Sequence, residues 1–201
     1  SMGYFDNVRT APDFLFSCHN SPGAGKLLTA GGVNPAVGRN GSSGDALSFG
    51  ALGFPRHVFG SQQSAVGFGF ARSANAWSSL LAFEASEFGN VLGTLYAIGD
   101  GRFYFNYRTA TGSIFQNSEP SSNLPCHLGL WDYFDVAYSV ADGVLNFLLY
   151  VNGFRALSVR TSATIPYGGI GCLRFDAPGG GYGAIVDDMY LSSGTTQLFG
   201  D

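Results

Sequence analysis

The stretch from Trp131 to Arg160, WDYFDVAYSVADGVLNFLLYVNGFRALSVR, narrows the fold more than any other part of the chain. Two dipeptides punctuate it, Asp142-Gly143 and Asn152-Gly153. Two-residue hairpin turns of type I′ need positive φ at both central residues, which Asp, Asn and Gly tolerate best. The pattern therefore predicts three antiparallel strands, 131–140, 144–151 and 154–160. In the first, Trp131, Tyr133, Asp135, Ala137 and Ser139 share one face, and Asp132, Phe134, Val136, Tyr138 and Val140 share the other. The second is apolar on both faces apart from Asn146. Such a meander needs a second sheet to cover its apolar face, and the remaining sequence must supply it.

Strand signals run steadily from Ala46. Ala46–Phe54 is followed by Pro55 and a brief Val58-Phe59. Ala65–Arg72 sets Val66, Phe68 and Phe70 on one face against Gly67, Gly69 and Ala71, and glycines on a sheet face let a bulky side chain approach. Trp77–Glu84 and Val91–Ile98 follow. Arg102–Arg108 alternates strictly, with Phe103, Phe105 and Tyr107 opposite Arg102, Tyr104, Asn106 and Arg108. Ile114–Gln116, Gly168–Phe175 and Ala184–Leu191 complete the set. About ten to twelve short strands, roughly 8–14 residues apart, with almost no helical periodicity, read as an antiparallel sandwich or barrel.

Composition agrees. There are 30 glycines and aromatic residues make up 15% of the chain, which suits short strands and tight turns and disfavours helices. With 201 residues and no repeat or mid-chain linker, a single domain is expected. Residues 1–45 are its least regular part. Tyr4–Arg9 is a candidate edge strand and Phe14-Leu15-Phe16 an apolar anchor. The segments NSPGAGK and GGVNPAVGRNGSSGD read as loops over a sheet rim. Gly23–Lys26 (GAGK) lacks the spacing, the following Ser or Thr, and the strand and helix of a phosphate-binding loop. The leading Ser1-Met2 is left out of the fold argument.

The net charge of −4, with Lys26 the one lysine among 10 basic residues, leaves no basic footprint for nucleic acid. No apolar run is long enough to span a membrane as a helix, and no signal peptide is read. Cys18, Cys126 and Cys172 are an odd number without metal-ligand spacing, so three free thiols and synthesis in a reducing compartment are expected. Cys18-His19 and Cys126-His127 are adjacent, and neighbours on a strand point to opposite faces.

The Val66–Phe70 core strand, the meander ending in Leu149-Tyr150-Val151-Asn152-Gly153, and the closing Val186-Asp187-Asp188-Met189-Tyr190-Leu191 carry a family resemblance. Over residues 46–201 the chain resembles the laminin-G-like members of the concanavalin A-like lectin/glucanase superfamily. With Leu198-Phe199-Gly200-Asp201, the closing segment is similar to versions common in tailed-bacteriophage virion proteins. The resemblance implies an all-β, antiparallel two-sheet jelly-roll sandwich, with residues 1–45 part of the same domain.

Three functions come with that fold. Glycoside hydrolysis needs two carboxylates about 5–5.5 Å apart in retaining enzymes. Glu84 and Glu87 are wrongly spaced for a strand and run into a turn. Asp132 and Asp135 face opposite ways, as do the adjacent Asp187 and Asp188. An enzyme is therefore not expected. Carbohydrate binding needs aromatic platforms with polar neighbours, for which Trp77, Tyr104, Tyr107, Trp131 and Tyr182 are the candidates. No cofactor is expected. Family members that hold calcium do so at a loop rim, where Asp187 and Asp188, and more weakly Asp100 and Asp176, are the candidate ligands.

The third function is a structural or adhesion module of a virion, either decorating the capsid or sitting on a tail or neck appendage. It would pack against copies of itself or other virion proteins and contact host glycans. Arginine supplies nine of the ten basic residues, which matches the enrichment of arginine over lysine at interfaces. This non-enzymatic virion role is the expectation, and a free-standing lectin-like protein is the alternative. Asn152-Gly153 should form a hairpin tip, and Asp187 and Asp188 should lie at a strand end.

Overall fold

A computed structural model describes residues 14–16, 33–36, 46–49, 56–58, 62–72, 78–97, 102–109, 115–118, 120, 131–161, 165–176, 184–194 and 196. Fourteen strands run in chain order: β1 (Phe14–Phe16), β2 (Val33–Ala36), β3 (Ala46–Phe49), β4 (Arg56–Val58), β5 (Gln63–Arg72), β6 (Ser78–Glu84) and β7 (Val91–Ala97), then β8 (Phe103–Arg108), β9 (Phe115–Asn117), β10 (Asp132–Ala141), β11 (Val144–Val151), β12 (Phe154–Arg160), β13 (Cys172–Phe175) and β14 (Ala184–Ser193). No helix occurs among the described residues. One sheet has eight strands in the order β12-β11-β10-β5-β14-β3-β2, with β1 also on β14. The other has six, β4-β13-β6-β7-β8-β9. Every pairing is antiparallel, and the fold is a two-sheet jelly-roll sandwich.

The meander forms as its turns dictate. Asp142 and Gly143 take φ of 53° and 77°, and Asn152 and Gly153 take 51° and 82°. Asn152 also clamps the strand beside it. Its Oδ1 accepts the Tyr133 N–H at 2.7 Å and its Nδ2 donates to Asp132 at 2.9 Å. These bonds fix the register of β10 on β11 at the same point where the turn needs an αL residue.

The core lies between the sheets and is dominated by rings. Phe68, Phe134 and Phe147 from the larger sheet meet Phe83, Phe103, Phe105 and Phe175 from the smaller one, all at most 2% exposed. Phe105 stacks on Phe147 with centroids 4.2 Å apart, and Phe68 meets Phe175 edge-on at 5.6 Å. Truncating such a ring costs about 3–5 kcal/mol. Period-2 alternation alone selects these residues: Phe103, Phe105 and Tyr107 turn inward on β8, and Tyr104 and Asn106 turn outward.

Several expectations are corrected. Residues 33–36, read as loop, form β2, whose Pro35 is tolerated because β2 is an edge strand. Asp187 and Asp188 are not at a strand end. They are the fourth and fifth residues of β14, at a bulge where β14 carries one residue more than β5 between the pairs Asp187↔Gly69 and Tyr190↔Gly67. The Tyr4–Arg9 strand, the 17–32 loop, Cys18, Cys126 and Asp100 lie outside the described residues.

Candidate functional site

The two sheets treat their outer faces differently. On the eight-stranded sheet, Tyr133, Asp135 and Ala137 of β10, which face away from the core cluster, are each at most 3% exposed. Tyr190 reaches across and its hydroxyl donates to Asp135 Oδ1 at 2.5 Å. Gly67 makes room for it: a Cβ there would stand 2.0 Å from Tyr190 Cε1. Burial pushes the Asp135 carboxyl up to about 6, against the downward pull of the Tyr190 bond. Around Asp135 this face is closed.

The outer face of the six-stranded sheet is open and polar. Residues directly opposite on paired strands share a face, so the ladder Arg174↔Ala82↔Thr94↔Asn106↔Asn117 forms one row across five strands. At about 4.8 Å per strand the row is roughly 19 Å long. Beside it runs a second row, Ser79↔Tyr96↔Tyr104. Together Val91, Thr94, Tyr96, Tyr104, Asn106, Asn117 and Arg174 line a groove of about 540 Å³. Its floor is low because Ala82 and Thr94 are small and buried.

Three contacts fix its walls. Tyr96 and Tyr104 stack at 5.0 Å with ring planes 10° apart. Asn106 Nδ2 donates to Asn117 Oδ1 at 2.7 Å, which leaves the row with oriented amides. Burial, then the neighbouring Tyr96 phenol, holds the Tyr104 phenol above its ordinary range, so it stays a protonated donor. At the far end Arg174 donates from Nε to Asp176 Oδ1 at 2.5 Å and from Nη2 to Oδ2 at 3.1 Å. Ser79 Oγ also donates to Asp176. Burial opposes the Arg174 charge, and the Asp176 bonds outweigh it and hold the guanidinium above its ordinary value.

Glu84, 2% exposed, extends this network. It accepts from Arg56 Nε at 2.8 Å and lies 3.8 Å from Arg174 Nη1. Glu87 is exposed in the β6–β7 turn. Two carboxylates, Glu84 and Asp176, thus share one arginine at the groove end, although 92 positions of sequence separate them (176 − 84). Both carboxylates are engaged by guanidinium groups. Cys172 beside them is buried and free, and burial, then Glu84, pushes its thiol up to about 12.

The five proposed platforms separate. Tyr104 is in the groove wall. Tyr107 is a correction: it is 8% exposed on the core side, stacked at 6.3 Å on Phe105, because it shares the parity of Phe103 and Phe105 on β8. Trp131 is half-buried just before β10, away from the groove lining. Trp77 and Tyr182 lie outside the described residues. Among the described residues no cluster of three or more metal-ligating side chains forms. The sequence reading missed Thr94, Tyr96, Asn106, Asn117 and Arg174. Strict alternation on β8 already placed Asn106 beside Tyr104; nothing in the sequence signalled that Arg174 and Asn117 would border the same groove.

No family model and no curated protein sequence matches this chain. Solved structures do match in fold. The receptor-binding domain of botulinum neurotoxin type G superposes with a TM-score of 0.58 at 11% identity, over 94% of this chain and 49% of that one. Domain 4 of AbnA, an extracellular GH43 arabinanase from Geobacillus stearothermophilus in complex with arabinotriose, gives 0.56 at 14% identity, covering 84% and 78%. The alginate lyase Aly36B gives 0.55 at 14% identity, covering 94% and 100%. The chain spans about half of the neurotoxin domain. At these identities the likeness is one of fold, and it defines the fold class: a two-sheet jelly-roll β-sandwich. No enzymatic activity is established by it.

Proposed function

We propose that this protein is a non-enzymatic carbohydrate-binding domain whose site is the groove on the outer face of the six-stranded sheet. One observation carries the reading: a stacked tyrosine pair stands beside a row of Arg174, Thr94, Asn106 and Asn117 on a floor of small residues. Aromatic rings cover the apolar faces of sugar rings, and fixed amides, hydroxyls and a guanidinium bond their hydroxyls. The arabinanase domain in complex with arabinotriose supports it, as an instance of a similar fold holding an oligosaccharide. Against two-carboxylate hydrolysis stands the pairing of Glu84 and Asp176 with arginine.

The setting we propose is a bacteriophage virion, with the domain as a decoration or tail or neck appendage that contacts host-surface glycans and associates with copies of itself or with other virion proteins. The support is the resemblance of Val186–Leu191 and Leu198–Asp201 to virion proteins. A free-standing lectin-like protein is the alternative.

A glycan array followed by calorimetry tests the site. Binding to a defined glycan, weakened about tenfold in Asn106→Ala and in Tyr104→Ala with the fold intact, is expected. Binding that is unchanged in both variants would move the site elsewhere. Light scattering and negative-stain imaging test the setting: oligomers support it, and a monomer that binds glycans supports the lectin.

A further inference from the structure

Two aromatic residues at one end of the six-stranded sheet are held in an unusual way. Phe88, in the β6–β7 turn, has φ of 57° and is 68% exposed. Tyr167, in the loop leading to β13, has φ of 62° and is 51% exposed. Among the described residues the other two non-glycine residues with positive φ are Asp142 and Asn152, hairpin residues for which that conformation is ordinary. For a bulky aromatic it is an outlier, and such strain persists only where the surroundings hold it.

The surroundings do hold it. The Phe88 turn is closed by Gly89 N–H to Ser86 O and Ala85 N–H to Asn90 O, both 2.8 Å. The Tyr167 loop is pinned to β5's lead-in by Gln62, which donates to Ile170 O at 2.8 Å and accepts from Ile170 N–H at 2.9 Å. Gly171 N–H bonds Glu84 O at 2.9 Å, which brings the two segments to the same end of the sheet.

Each ring also has an arginine held at that end of the sheet. Arg56, bonded to Glu84, places its guanidinium 4.2 Å from the Phe88 ring centre. Arg108 donates from Nε to the carbonyl of Val91, a groove-lining residue, and lies 5.7 Å from the Tyr167 ring centre. Cation–π contact fixes one face of each ring. The rest of each ring remains exposed.

We propose that Phe88 and Tyr167 form a second aromatic subsite, continuous with the groove, that takes further sugar units of the same chain. The proposal rests on the groove being a glycan site and adds the class of ligand: an extended oligosaccharide. Along the strands, Tyr96 to Val91 on β7 spans roughly 17 Å, at about 3.4 Å per residue. One sugar unit cannot reach both the tyrosine pair and the rim.

The test uses the full chain with cello- and manno-oligosaccharide ladders from disaccharide to octasaccharide, titrated by calorimetry. Affinity is expected to rise with length and to plateau once the rim is covered. Phe88→Gly and Tyr167→Gly suit the backbone conformation, so Tm should hold or rise. For the longest members affinity should fall about tenfold, the size of one lost aromatic contact; for the shortest it should not change. Tyr167→Phe should keep the long-chain gain. Short members that bind with no gain in length, or glycine variants that bind long chains as well as the parent, would overturn the rim subsite and leave the groove standing. If nothing binds at all, the groove reading falls and the rim with it.

Discussion

The outer faces of the two sheets start from similar strands and end in opposite states. On the larger sheet, Gly67 leaves a depression that Tyr190 fills, and its hydroxyl ends on a buried carboxylate. On the smaller sheet, Ala82 and Thr94 leave a comparable depression across which no side chain of the described residues is laid. Tyrosines stand at its side instead, stacked on each other. The difference teaches where function can lie: small residues on a sheet face make either a socket or a groove, and the distinction is whether a ring from the same sheet enters.

Breaking the closed face should give the largest effect. Gly67→Val drives a Cβ into the Tyr190 ring, where the nearest atom is only 2.0 Å away. Overpacking of this kind costs about 3 kcal/mol, read as a fall in the urea midpoint. The folded fraction should still bind glycan through the other face.

Asp135 gives the next effect, and it is pH-dependent. Its carboxyl sits near 6 in the fold against 3.8 ordinarily, so between those values the folded protein holds a proton that the unfolded chain has lost. Stability should therefore fall as pH rises from about 4 to 6 and level off above, a change of about 3 kcal/mol at most. Asp135→Asn keeps an acceptor for Tyr190 and removes the titration. Denaturation midpoints of the variant should lose the slope and exceed the parent's at pH 7. An unchanged slope would place the titration elsewhere.

Tyr190→Phe is a smaller break. It deletes the donor and leaves Asp135 buried with less compensation, costing about 1–2 kcal/mol at pH 7. The cost should shrink at pH 5, where the carboxyl is neutral, and the apparent Asp135 titration should move higher, because the lost bond was lowering it. Equal losses at both pH values would mean that packing, not the bond, matters.

The sequence spoke clearly wherever the information was local. Asp142-Gly143 and Asn152-Gly153 set two hairpins, since only a few residue types accept the αL conformation there. Alternation on β8 sorted Phe103 and Phe105 from Tyr104. Even the use of the Gly67 face for a bulky neighbour was legible, though not which ring would come. The groove was less so. Tyr96 and Tyr104 meet through strand pairing, and Arg174 returns to their sheet only after the 54 residues between β9 and β13 (118–171), so no spacing along the chain encodes their meeting. Tyr107 shows the hazard in the other direction: a tyrosine chosen for its chemistry belonged, by parity, to the core. Pro35 argued for a loop, and the edge position of β2 admits it.

The finest test of the open face lies in the tyrosine pair. Both rings are half-buried, so Tyr104→Ala and Tyr96→Ala should each cost the fold about 1 kcal/mol or less. Each should weaken glycan binding about tenfold. Because the rings stack on one another, removing either also loosens its partner, and the double variant should lose less than the sum of the two. Tyr104→Phe separates the two ways in which the residue can act. Stacking survives without the hydroxyl, so unchanged affinity assigns the contact to the ring. A loss matching that of the alanine variant assigns it to the phenol, which burial keeps protonated as a donor. Additive losses in the double variant would mean that the rings contact the ligand independently, and the groove would then hold two platforms rather than one paired wall.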